Sequence, residues 1–215
     1  MKYCLFLVAR GPVPTPAKLD PLLTAIPGLA RALVHRATTT HDPYIHDGAP
    51  PDLALQLYFT AISTLETATA GPLNALPPLL ANATVTQQAM LVRPFPVPNP
   101  APLPPEHCTY LVAYDGPAND LPAWHAHYLA HHPAIMARFP AIREIEIYTA
   151  LDTAAGLPFP RATCIQRNKV VFDSPEALTA ALNSPIRHEM RADYAQLPPF
   201  TGAVTHFPMQ TRQIA

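Results

Sequence analysis

Four histidines stand close together in this chain: His125, His127, His131 and His132, all within Leu121–Phe139. Imidazole titrates near neutrality, so a histidine held beside a ligand can give or take a proton. His131 and His132 are therefore the candidate proton carriers. At helical periodicity Trp124, Tyr128, His131, Ile135 and Phe139 share one stripe, with His132 at its edge beside His125. Tyr128 is placed to donate a hydrogen bond to a developing oxyanion, and Trp124 to bind an apolar substrate. The competing reading makes Trp124, Tyr128, Ile135 and Phe139 an ordinary core stripe. His127 and His131 have the i, i+4 spacing of helical metal ligands, but the helix carries no carboxylate and no metal is expected.

A second group lies on the strand that follows. Along Ile142–Thr149 the residues alternate, with Arg143, Ile145 and Ile147 on one side and Glu144, Glu146 and Tyr148 on the other. The isoleucine side should meet helices. The other side should line a space between two sheets, opposite Arg31, Leu33 and His35 of a repeated unit. Tyr148, Glu146, His35 and Arg31 are then candidate substrate-binding residues, and an Arg31–Glu salt bridge is the plainer alternative. His206, on the last strand, is a further candidate.

These groups need a scaffold, and the sequence contains one twice. Pro27, Phe59, Leu65, Ala68 and Pro72 match Pro140, Phe172, Leu178, Ala181 and Pro185 at one constant offset. A period of this size means a duplicated unit. Each half reads β-α-β-β-α-β, the split βαβ pattern. The strands are Lys2–Ala9, Leu29–Thr38, Leu53–Thr60 and Val85–Arg93, then Thr109–Tyr114, Ile142–Thr149, Thr163–Phe172 and Gly202–Phe207. The helices are Lys18–Ile26 and Ser63–Leu80, broken at Gly71-Pro72, then Leu121–Phe139 and Ser174–Asn183, with Ser174 as N-cap. Near the first strands Tyr3 aligns with Tyr110, so the second half has extra residues around its first helix. The fold class is α+β: two tandem ferredoxin-like repeats packed as an intramolecular dimeric α/β barrel. The first repeat covers 1–93, a proline-rich linker 94–106 and the second repeat 107–215.

Composition narrows the function classes. Hydrophobic residues make up 49% and charged residues 13%, which argues against disorder. The net charge of -1 and the lack of a Lys/Arg run argue against nucleic acid. No apolar run is long enough to span a membrane. Cys4, Cys108 and Cys164 have no paired spacing and fit buried residues in a reducing, cytoplasmic setting. With seven glycines and no GxGxxG, P-loop, GxSxG or HExxH motif, nucleotide and zinc-protease chemistry are not expected.

The segment PAWHAHYLAHHPAIMARFPAIREIEIY (Pro122–Tyr148), followed by VVFDSPEALTAALNSP (Val170–Pro185), resembles the EthD-like branch of the dimeric α/β-barrel superfamily. That pattern is an aromatic-bearing helix, a His-x-Pro, a Pro-Gly-type exit into a strand, and a Phe-Asp-Ser start to the second helix. His131 matches His-x-Pro, while spacing from Trp124 favours His132. The resemblance implies a small-molecule catabolic or biosynthetic protein. It suggests an isomerase or cyclase, or an accessory to an oxygenase, acting on a hydrophobic or aromatic substrate without a cofactor. Two alternatives stay open: a non-catalytic ligand-binding or stress-associated module, and a haem-binding relative. As a fused pair the chain can be a monomer with an internal pseudo-dimer, or a homodimer.

Overall fold

A computed structural model describes residues 2–214. Eight strands form one closed barrel: β1 (Lys2–Arg10), β2 (Leu29–Ala37), β3 (Leu53–Phe59), β4 (Thr84–Phe95), β5 (Glu106–Asp115), β6 (Glu144–Ala150), β7 (Cys164–Phe172) and β8 (Val204–Gln213). Their order around the barrel is β1-β3-β2-β8-β5-β7-β6-β4, every neighbouring pair antiparallel. Each half supplies a four-stranded sheet, and β2–β8 and β4–β6 close the two sheets on each other. Closure leaves no free sheet edge.

Strand parity divides the side chains between helix face and lumen. Leu5, Leu7 and Ala9 join a core with Leu19 and Leu23 of α1 (Pro16–Thr24) and Leu65 and Ala68 of α2 (Ile62–Ala70). Their neighbours Cys4 and Phe6 point inward to meet Leu33, Tyr58, Met90 and Tyr148. The break at Gly71-Pro72 is a 3-10 turn leading into α3 (Leu76–Leu79). In the second half α4 (Leu121–Met136) and α5 (Pro175–Leu182) cover the sheet through Trp124, Tyr128, Leu178 and Leu182. Asp120 caps α4 by accepting from the Ala123 amide at 2.9 Å, and Ser174 caps α5 by accepting from that of Ala177.

The strand registers display the duplication. Leu33 faces Gln56 just as Glu146 faces Lys169, and His35 faces Ala54 as Tyr148 faces Arg167. Gly28 and Ala141 occupy the same repeat position, and both have left-handed backbone, with φ of 74° and 58°. The first strands correct the sequence alignment. Tyr3 pairs with Phe59 where Cys108 pairs with Phe172, so Tyr3 corresponds to Cys108 and not to Tyr110. One helix has no counterpart in the expected elements: α6 (Ile186–Tyr194), packed on α4 and α5.

Beside the inward apolar cluster the lumen holds a hydrogen-bonded network of polar side chains, in place of the expected cavity between the sheets. Arg31 pairs with Glu144 at 2.9 Å. Lys169, fully buried, reaches Glu146 at 2.8 Å, Glu144 at 3.0 Å and the Tyr58 hydroxyl at 3.0 Å. Tyr58 and Tyr148 both donate to Glu146, at 2.7 and 2.6 Å. Gln56 links Tyr148 to His35, and His35 continues to Thr211 at 2.8 Å. Burial pushes His35 down to about 3, so it is a neutral hydrogen-bonded link. Burial works against ionised Glu144, but Lys169 and Arg31 hold its carboxyl down to about 2.

Candidate active site

The enclosed chemistry lies on the outer face of the second sheet, under α4 and α6. His132 is buried there, and its Nδ1 lies 2.6 Å from Asp193 Oδ2 on α6. A carboxylate only accepts, so this contact fixes the imidazole proton on Nδ1. Nε2 then carries the lone pair and, among the described residues, has no hydrogen-bond partner. Burial lowers the pKa of His132 more than Asp193 raises it, and the ring is neutral at pH 7.

Two chambers meet at His132. The inner one, about 40 Å³, is walled mainly by apolar side chains such as Met136, Phe139, Val170 and Leu182. The outer one, about 300 Å³, opens past Tyr44, His46, Asp47 and Tyr194. Tyr114, His132, Arg187, Met190 and His206 line both. The mouth comes from the other half of the chain. The segment 38–52, between β2 and β3, crosses to the second sheet, where Asp42 binds Arg187 at 2.8 Å and Asp47 binds His206 Nδ1 at 2.8 Å. Asp42 also accepts from the Tyr110 hydroxyl at 2.9 Å. His206 holds the Asp47 carboxyl below its ordinary range despite partial burial.

Of the residues singled out in the sequence, the structure brings only His132 and His206 to this cavity. His131 is exposed, and its Nδ1 contacts the His127 carbonyl. The buried stripe of α4 runs Trp124, Tyr128, His132 and Met136, one residue beyond the expected His131. Tyr128 stands behind His132 rather than in the cavity. Their rings are 4.5 Å apart, and its hydroxyl accepts from Asn168 at 2.5 Å. Trp124 stacks on Tyr128, fully buried. Tyr148, Glu146, His35 and Arg31 lie across the sheet in the lumen and share no cavity with His132. The sequence reading missed Asp193, Arg187, Asp42 and Asp47.

Asp193 also supplies the carboxylate that the helix lacks. Its other oxygen lies 3.6 Å from His127 Nε2, and donor atoms of His127, His131 and Asp193 lie within 4.8 Å of one another. That oxygen is not the one held by His132, so the three side chains form a set of possible metal ligands that the helix alone does not provide. Haem was the other candidate. His132 has the donor set of an axial ligand, with Nε2 free and Nδ1 anchored. The inner chamber beside it has room for only a few waters, and the outer chamber, about 300 Å³, is at the small end of ordinary ligand pockets, so neither accommodates a porphyrin as it stands.

The architecture is that of the dimeric α/β-barrel proteins, with both halves in one polypeptide. Similar solved structures cover nearly the whole chain. An anthrone oxidase-like protein superposes with a TM-score of 0.66 at 15% identity, covering 100% of this chain and 93% of its own. Chlorite dismutase from Candidatus Nitrospira defluvii gives 0.55 at 12% identity, covering 97% and 90%. A major regulator of staphylococcal pathogenesis gives 0.53 at 8% identity, covering 96% and 97%. At such identities the likeness shows the fold alone, and these three names illustrate how little the fold fixes activity. No protein-family model matches, and no curated protein is similar in sequence. No helix among the described residues is long and apolar enough to cross a membrane.

Proposed function

We propose that this chain is a small-molecule enzyme that removes a proton from carbon in an apolar, ring-containing substrate, with His132 as the base. One observation carries the proposal: a buried imidazole anchored through Nδ1 to Asp193, with its unpaired Nε2 beside a cavity of mixed apolar and polar walls. Nε2 takes the proton, the C–H electron pair moves into a carbonyl that is adjacent or conjugated through a ring, and Asp193 stabilises the imidazolium. Return of the proton to another carbon completes an isomerisation; attack of the enolate carbon on a second carbonyl of the substrate, whose C=O π bond breaks and whose oxygen takes the proton back from His132, completes a cyclisation. Neither needs a cofactor. Tyr128 acts by positioning His132.

The test is proton exchange in D2O. Anthrone, 2-indanone and 2-tetralone are incubated with the protein, and loss of the acidic C–H signal is followed by NMR. Catalysed exchange is expected, with His132→Asn slowing it about 10²–10⁴-fold, the usual contribution of a positioned base. Exchange that survives His132→Asn refutes the assignment. Tight binding of these ketones without exchange would instead make the chain a binding module.

A further inference from the structure

The proton abstraction proposed for His132 leaves a negative oxygen on the substrate, and the cavity contains a group suited to hold it. Arg187 sits on α6 and lines both chambers with His132. The residue is 8% exposed. Of its five N–H donors, one, on Nη2, finds a protein acceptor among the described residues, donating to Asp42 Oδ2 at 2.8 Å. Nε is enclosed with no partner. A buried donor left unpaired is unfavourable, and a ligand oxygen or a water would relieve it.

The guanidinium is also held in place. Asp42 is anchored by three contacts: Arg187, the Tyr110 hydroxyl at 2.9 Å and the Tyr44 amide at 2.9 Å. This carboxylate offsets the charge of Arg187 while the remaining donors stay available. A fixed cation in an enclosed site strengthens its interaction with a charge that develops during reaction.

We infer that Arg187 forms an oxyanion subsite, and that the ligand is therefore an enolisable ketone or a phenol whose oxygen reaches Arg187 while its acidic C–H or O–H faces His132. This rests on the reading of His132 as the base, but it can be tested separately because a phenolate needs no proton abstraction from carbon.

The probe is 2-naphthol, whose neutral and anionic forms differ in fluorescence, with naphthalene as the control of equal shape. Wild-type protein is expected to bind naphtholate at least tenfold more tightly than naphthalene and to lower the naphthol pKa on binding. Arg187→Gln should remove that preference and leave naphthalene binding unchanged. Should the orphaned Asp42 unfold that variant, Arg187→Gln combined with Asp42→Asn removes both charges together and makes the same comparison. His132→Asn should retain the naphtholate preference while losing carbon exchange. Naphtholate preference that persists in both Arg187 variants, or is absent from the wild type, overturns the subsite. Exchange that survives His132→Asn while the naphtholate preference depends on Arg187 overturns the base and leaves the subsite standing.

Discussion

Replacing Lys169 by Met tests whether the lumen is a scaffold or a binding site. Lys169 is fully buried and is the cation nearest Glu146, at 2.8 Å, and it shares Glu144 with Arg31. Methionine matches the length of the side chain but leaves the Glu146 carboxyl in a closed interior with only two tyrosine hydroxyls for partners. Removing one member of a buried ion pair costs about 3–5 kcal/mol, against a net stability of about 5–15 kcal/mol for a typical protein. With urea slopes of about 1–3 kcal/mol/M, the unfolding midpoint should fall by roughly 1–3 M. Adding Glu146→Gln removes the stranded carboxyl and should recover most of the loss, because a buried pair is worth little against a neutral replacement. The paired variant should also keep its proton exchange, since His132 lies on the opposite face of the sheet. A single variant within about 1 kcal/mol of wild type, or a paired variant no better than the single one, would refute the reasoning.

Other predictions follow from particular groups. His35 is neutral in the folded protein and pushed down to about 3, but takes a proton near 6.5 when unfolded. The unfolded state thus binds more protons as pH falls below 6.5, and stability is lost from there toward pH 3. At pH 4.5 the loss is about 3 kcal/mol, and His35→Gln should flatten that part of a stability–pH curve. His132 is held below 6.5 by burial, so carbon exchange should persist through pH 6.5 and fail only at lower pH; a profile that breaks above 7 would rule out the neutral base. Ala141 holds left-handed backbone that penalises a Cβ, so Ala141→Gly should stabilise the protein by about 0.5–1 kcal/mol in thermal unfolding, against the usual sign. Haemin added to the protein should give no Soret change that depends on His132.

Much of the fold could be read from the sequence because it depends on local period and repetition. Alternation in Ile142–Thr149 placed Ile145 and Ile147 against the helices and Glu146 and Tyr148 inside, as found. The constant repeat offset located β2, β3 and α2 on β6, β7 and α5. The site was less legible because its parts meet only after folding. Asp42 and Asp47 come from an irregular loop and reach partners 145 and 159 positions away, for which no local pattern exists. Asp193 and Arg187 belong to α6, whose charged sequence IRHEMRADY hides a helix. Its one apolar signal is Ile186 and Met190 at i, i+4 spacing, beside a buried Arg187. The shift from His131 to His132 has a similar cause. The stripe had two candidate edges, and only the packing of α6 decided between them.

The ion pair between Arg31 and Glu144 joins residues that hold the same place in the two repeats, 113 positions apart. A symmetric pair of identical halves would set each such residue against its own copy. Two first halves would bring arginine against arginine, and two second halves glutamate against glutamate. Complementary charge at this place is open only to a chain whose halves are free to diverge. The contact therefore favours pairing of unlike halves, and it does so most plainly for the first, since Arg31 finds its partner in the other repeat whereas Glu144 also has Lys169 from its own.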